Sequence, residues 1–274
     1  MFKRASRVLG VLAVAAMVNC GGPYTPASTP TTNTAILRIY STTAVAPLLH
    51  NITAAYTLET QGVIFESQQG NHAAMLEQLQ AGNTPYIITN YLKDDSSLWA
   101  APIAQDAIAI IAHPSNPIDN LDRETLRQIY QGLIHNWADI GGPDQPIVVF
   151  SREAGSGTRL VFERLVMGMR QTTPSARIAP TSNAMLLSVM EETGSIGYIS
   201  MGYLPDERVK IIAVDEVLPT TASVGENIYP LRTPIYITGY EEAEGAYRAF
   251  IGWIQSLSGQ AIVSRRYAPL FTTP

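Results

Sequence analysis

The order of apolar patterns between residues 36 and 89 narrows the fold most. Residues 36–40 read as a strand, 47–56 as a helix, 63–66 as a strand, 72–80 as a helix and 86–89 as a strand. Pro47 suits a first helical turn, where its missing N–H breaks no bond, and Gly82 ends the second helix. Strands separated by single helices return parallel, with the crossovers on the sheet faces, and ligands gather beyond the C-terminal ends of such strands. An α/β class follows. Further on, residues 108–112 form a buried-type apolar run that ends at the turn-rich His113-Pro114-Ser115-Asn116-Pro117. Residues 122–130 and 185–192 read as helices, 195–199, 211–214 and 234–237 as strands, and 243–257 as a last helix.

One strand end is chemically distinct. The apolar run 147–150 leads into Ser151-Arg152-Glu153-Ala154-Gly155-Ser156-Gly157-Thr158-Arg159, after which Leu160, Val161, Leu165, Val166 and Met169 recur at helical spacing. Two glycines let the backbone approach a ligand, so the amides of Ser156, Gly157 and Thr158 can converge at a helix N-terminus. Two hydroxyls and the planar fork of Arg152 complete a donor set matched to a tetrahedral oxyanion. Taken alone, the segment is equally compatible with a plain glycine turn between strand and helix.

The N-terminus limits where the chain works. Lys3, Arg4 and Arg7 precede an apolar stretch at residues 8–18, followed by Asn19-Cys20-Gly21-Gly22. Eleven apolar residues fall short of the roughly 20 that a bilayer span needs and fit the core of an export signal. The single cysteine, Cys20, stands where a lipoprotein signal peptidase would leave a new N-terminus, although Met17 and Asn19 depart from the usual lipobox residues. Residues 1–19 are thus expected to be a signal peptide. Residues 20–34, rich in Pro, Thr, Ser and Gly, should form a disordered tether from a lipid anchor at the outer face of the cell membrane. Loss of the leader's three positive charges takes the net charge from -5 to -8, which argues against nucleic acid as a partner.

Several ordered segments carry a family resemblance. STTAVAPL at residues 41–48, IYQGLIHNWADIGGPDQPIVV at 129–149 and SREAGSGTRLVFE at 151–163 are followed by GSIGYIS at 194–200, YPLRTPIYI at 229–237 and SGQAIVSRRYAPL at 258–270. Together they resemble the phosphate-binding lipoproteins of the bacterial ABC-type phosphate importer, within the type II periplasmic-binding-protein fold. The resemblance implies two α/β domains, each a mixed, mostly parallel sheet flanked by helices, with the ligand cleft between them. Residues 35–105 with 228–274 would form one domain and residues 106–227 the other. It also implies phosphate contacts at Thr43, Ala44, Arg152, Ser156, Gly157 and Thr158, a permease as partner, a monomeric receptor and no cofactor.

Two positions depart from the family pattern. His72, or else Asn71, stands where the family has a serine that touches the anion, and Asn90 stands where it has an aspartate that accepts the proton of hydrogen phosphate. A carboxylate can only accept, whereas an amide can accept through oxygen or donate through nitrogen. Capture of phosphate and its delivery to an ABC transporter is the expected role; the alternative, a receptor or sensor for another oxyanion such as sulfate or molybdate without dedicated phosphate transport, gains if Asn90 turns its nitrogen toward the ligand. Glu66 or Glu153 could supply a substitute acceptor.

Other chemistry finds little support. Ser156 sits where a hydrolase nucleophile would, but Ala154 and Thr158 occupy the glycine positions of G-x-S-x-G, and no P-loop lysine follows. Binding without catalysis is expected. His50, His113 and His135 are scattered, so no metal site is expected. Trp137 and Tyr198 read as core aromatics.

Overall fold

A computed structural model describes residues 34–204 and 208–271. The expected leader, the lipid site at Cys20 and all of the tether except residue 34 lie outside the described residues. Strand β1 (Ala35–Thr42) buries Leu37 and Ile39 and exposes Ile36 and Arg38, the period-two pattern of a strand. A 3-10 turn at Thr43–Val45 leads into α1 (Ala46–Glu59), with Pro47 in its first turn. Strands β2 (Val63–Glu66) and β3 (Gln69–Gly70) both pair parallel with β1. Helix α2 (His72–Gln80) begins at Asn71, whose side chain accepts from the Ala74 amide at 2.9 Å. Strand β4 (Tyr86–Thr89), wholly buried, pairs parallel with the other side of β1.

Strand β5 (Trp99–Ala112) connects the two parts of the sheet. After it come β6 (Asn120–Leu121), α3 (Arg123–Gln131), β7 (Val148–Arg152) and α4 (Gly157–Phe162), which runs on as a π-helical turn through Met167. Then follow β8 (Arg177–Ala179), α5 (Ser182–Glu191), β9 (Ser195–Ser200), β10 (Lys210–Val214), α6 (Thr221–Gly225), β11 (Arg232–Gly239), α7 (Gly245–Ile254) and α8 (Leu257–Val263). The strand order is β2-β1-β4-β11-β5-β9-β7-β8, with β3, β6 and β10 off this path. Residues 99–107 of β5 pair antiparallel with β11, and residues 108–112 pair antiparallel with β9. Strand β7 is parallel to both β8 and β9. The result is a mixed α/β sheet in which β4 and β7 point their C-terminal ends toward each other's loops.

Three expectations shift. The apolar run 108–112 is only the second half of β5, because Pro102, Gln105 and Asp106 interrupt the apolar signal in the first half. The domain boundary expected between residues 105 and 106 therefore falls inside an unbroken strand. The single last helix is two: Ser256 starts α8 by accepting from the Gly259 amide. Met169 is fully exposed rather than on an apolar face, because the preceding helix ends at Gly168, whose φ is +60°. Trp137 and Tyr198 are core residues as expected, both at 0% exposure. Among the described residues no helix is long and apolar enough to cross a membrane.

Candidate functional site

Beyond β7 the chain makes a tight turn. Gly155 has φ +82°, and the Ser156 amide donates to the Glu153 carbonyl at 3.2 Å. That amide is therefore already engaged, a correction to the expectation that three amides stand free. The Ser156 side chain caps α4 by accepting from the Arg159 amide at 3.4 Å, which leaves its hydroxyl proton available to donate. Gly157 and Thr158 open the helix, where amides have no carbonyl one turn back to bind. The Thr158 hydroxyl is buried and has no hydrogen-bond partner among the described residues.

Arg152, at 1% exposure, is held from several directions. Its Nε donates to Glu153 Oε2 and to the Ala179 carbonyl, each at 3.0 Å, and Nη1 donates to Ser182 Oγ at 3.2 Å. Its Nη2 donates to Glu153 Oε1 and to Thr43 Oγ1, both at 3.2 Å. One hydrogen on Nη1 is left over from these bonds. Tyr198 supports the backbone: its hydroxyl accepts from the Arg152 amide at 3.1 Å and bonds Ser151 Oγ at 2.9 Å. Its ring stacks on Phe162 at 4.1 Å and 3°, and burial pushes its phenol up to about 12.

The turn, α2 and the end of β4 meet closely. The Ala73 amide donates to the Gly155 carbonyl at 3.1 Å, and a Cβ on Gly155 would lie 2.8 Å from Ala73 Cβ. A Cβ on Gly157 would lie 3.0 Å from Asn90 Oδ1 and 3.4 Å from His72 Cβ, so only glycine leaves this gap open. Thr43 joins through Arg152, and its carbonyl accepts from the Tyr203 hydroxyl at 2.6 Å. Ala44 is buried beside it, its carbonyl accepting from the Tyr267 hydroxyl at 3.3 Å. All eight ligand positions read from the sequence thus lie in one region.

The two unexpected residues differ in character. His72 is buried at the start of α2. Its Nδ1 bonds Thr89 Oγ1 at 2.9 Å, its ring meets Tyr91 edge-on at 5.2 Å, and burial pulls it down to about 4, so the imidazole is neutral near pH 7. Asn90 donates from Nδ2 to Asp106 Oδ2 at 3.0 Å, and its Oδ1 is buried without a partner among the described residues. The oxygen therefore faces Gly157 and the nitrogen faces away. Neither Glu66 nor Glu153 stands ready as a substitute acceptor, because Glu66 pairs with Arg38 at the surface at 2.8 Å and Glu153 is engaged by Arg152. Arg159 is likewise engaged, donating to Glu163 at 2.7 Å and to the Arg152 carbonyl at 3.0 Å.

Sequence reading missed Asp106, Tyr203 and Ser182. A lone carboxylate immediately before the apolar run 108–112 was a usable signal for Asp106; nothing local marked the other two. Among the described residues no group of three His, Cys, Asp or Glu side chains is placed to hold a metal. The arrangement brings hydroxyls, helix amides and one guanidinium into the same region as the unpaired Asn90 oxygen, which lies against Gly157, a donor-rich set with an acceptor that suits an anion carrying a proton.

Known proteins share this build. Residues 26–257 match the model of the PBP superfamily domain. The phosphate-binding protein PstS of Bacillus subtilis (strain 168) is 24% identical over 247 residues, which span 85% of this chain and 80% of that one. A structure described as a phosphate ABC transporter substrate-binding protein with bound phosphate, from Clostridium perfringens, is 30% identical, with a TM-score of 0.81 over 86% of this chain and 100% of that chain. An ABC-type phosphate transport receptor from Vibrio cholerae is also 30% identical, with a TM-score of 0.70 over 85% and 99%.

Proposed function

This chain belongs to the PBP superfamily, and we propose that it captures inorganic phosphate between the Arg152–Thr158 loop and the Thr43, His72 and Asn90 side and delivers it to an ABC transporter. The observation that carries this reading is the Asn90 carboxamide, whose unpartnered, buried Oδ1 faces Gly157. Hydrogen phosphate has both many acceptor oxygens and one proton. Its oxygens would take the Gly157 and Thr158 amides, the Ser156 and Thr158 hydroxyls and Arg152, and its proton would go to Asn90. Charge-assisted bonds of this kind replace the hydration that a buried anion loses. A fully ionised sulfate would set an oxygen against Asn90 Oδ1, which supports phosphate over the sulfate or molybdate alternative.

The working cycle would use two domains, residues 35–105 with 228–274 and residues 106–227, that close when these contacts form. The closed receptor, a monomer, would dock on a membrane permease. Cys20 would carry the lipid that holds it at the extracytoplasmic face, and residues 20–34 would give it reach. It would bind without turnover.

Calorimetry with inorganic phosphate and inorganic sulfate at pH 8 tests the proposal. Saturable one-to-one phosphate binding with much weaker sulfate binding is expected, and a phosphoester incubated with the protein stays intact. No heat with phosphate sinks the reading. Mass spectrometry of the membrane fraction tests the anchor, which requires a diacylglyceryl group on Cys20.

A further inference from the structure

Asn90 is an ambiguous ligand by itself. Its carboxamide can turn by half a rotation and offer either an acceptor or a donor at nearly the same place. What lies behind it decides, and behind it lies Asp106, at 0% exposure in the middle of β5. Asp106 Oδ1 already accepts from Ser200 Oγ at 2.8 Å and from the Ala107 and Met201 amides at 2.8 and 3.2 Å. Its Oδ2 receives Asn90 Nδ2 at 3.0 Å.

We propose that Asp106 is a positioning residue for ligand choice: its carboxylate holds the Asn90 nitrogen away from the anion and so presents the Asn90 oxygen to it, favouring an oxyanion that carries a proton over one that carries none. The inference rests on the phosphate reading above. With Asn90 reversed, its oxygen would face a carboxylate oxygen in a buried space, an uncompensated pair of acceptors that costs far more than the bond it replaces. The Asn90 backbone is fixed as well, because its carbonyl accepts from Thr233 Oγ1 at 3.0 Å. Asn90 and Asp106 thus act as one unit: the amide touches the ligand and the buried carboxylate sets its sense. Burial raises the Asp106 carboxyl to about 7, and the bonds from Ser200, Asn90 and two amides oppose that rise.

The test compares phosphate and sulfate affinities by calorimetry at pH 8, where phosphate carries one proton and sulfate none. In Asp106→Asn, the new amide oxygen keeps Ser200 and the two backbone amides, so its NH2 faces Asn90, draws the Asn90 oxygen to itself and turns the Asn90 nitrogen toward the anion. The phosphate-to-sulfate affinity ratio should then fall by at least about tenfold, with sulfate binding itself strengthened. The exchange Asn90→Asp with Asp106→Asn puts an acceptor back toward the anion and should restore the ratio. A purely structural role for Asp106 would weaken both anions together and would not be rescued by the exchange. An unchanged ratio in folded Asp106→Asn, or an exchange variant no more selective than the single one, overturns the proposal. If Asp106→Asn does not fold, the wild type still decides by NMR: the Asn90 side-chain NH2 should show contacts to the Met201 amide, and contacts to the Gly157 amide instead refute it. A wild type that binds no phosphate defeats the function, while the NMR contacts still decide the Asn90 orientation.

Discussion

The Arg152–Thr158 loop and the side that faces it are built on different terms. In the loop most polar groups already have a protein partner: Arg152 is held by Glu153, Ala179, Ser182 and Thr43, and Ser156 caps its own helix. The facing side keeps a buried acceptor unpaired in Asn90 and an uncharged imidazole in His72. A donor held by its neighbours needs little reordering when an anion arrives, so the loop should supply affinity. An acceptor left unpaired binds only a ligand that brings a proton, so the facing side should supply selectivity.

Arg152→Ala tests the affinity half most severely. It removes the guanidinium whose bonds span the loop and Thr43, and leaves Glu153 without that partner. Phosphate affinity should drop by at least about 100-fold in calorimetry, with sulfate losing as much. A selective loss of phosphate alone would break the division of labour. Asn90→Asp alone should expose how the facing half is balanced. Two carboxylates would then meet in a buried space and share a proton, which raises the folded pKa of the pair. Its stabilising effect is present at acidic pH and is lost as pH rises, so thermal unfolding should show a deficit of roughly 3 kcal/mol at pH 8 that shrinks at pH 5.

His72 gives a smaller effect of opposite sign. Its folded pKa of about 4 lies below the ordinary 6.5, so its contribution is complete above 6.5 and declines as pH falls toward 4. Denaturant unfolding should show wild type losing on the order of 2 kcal/mol more than His72→Gln between pH 7 and pH 4. Equal losses would mean the ring is not buried neutral. Thr158→Val is the finest test. Its hydroxyl has no partner among the described residues, so removal should leave the melting temperature of the ligand-free protein unchanged or raised, yet cut phosphate affinity about tenfold. A stability loss without an affinity loss would move Thr158 out of the ligand-contacting half.

The loop was legible because its signals are local. A strand, two glycines, a serine cap and an apolar helical face all lie within residues 147–166, and the structure assembles them as β7, a turn at Gly155 and α4 with its π-helical continuation. The helices and strands of the first ninety residues were legible for the same reason. The first half of β5 was not, since Pro102, Gln105 and Asp106 belong to a strand only through pairing with β11, more than a hundred residues away. Glu66 and Glu153 looked equivalent as acceptors in the sequence, and only their partners, Arg38 and Arg152, separate them from the site.

By itself, then, the sequence determined the α/β alternation, the glycine turn and the placement of Arg152, Ser156, Gly157 and Thr158, because each depends on backbone geometry within a few residues. It also determined that position 90 is an amide. Which end of that amide faces Gly157 was decided by tertiary structure alone. The deciding contact is with Asp106, 16 residues away, itself held by Ser200, 94 residues further on. A carboxamide has no preferred sense until a buried partner that can only accept is brought behind it, and only the folded sheet brings Asp106 there.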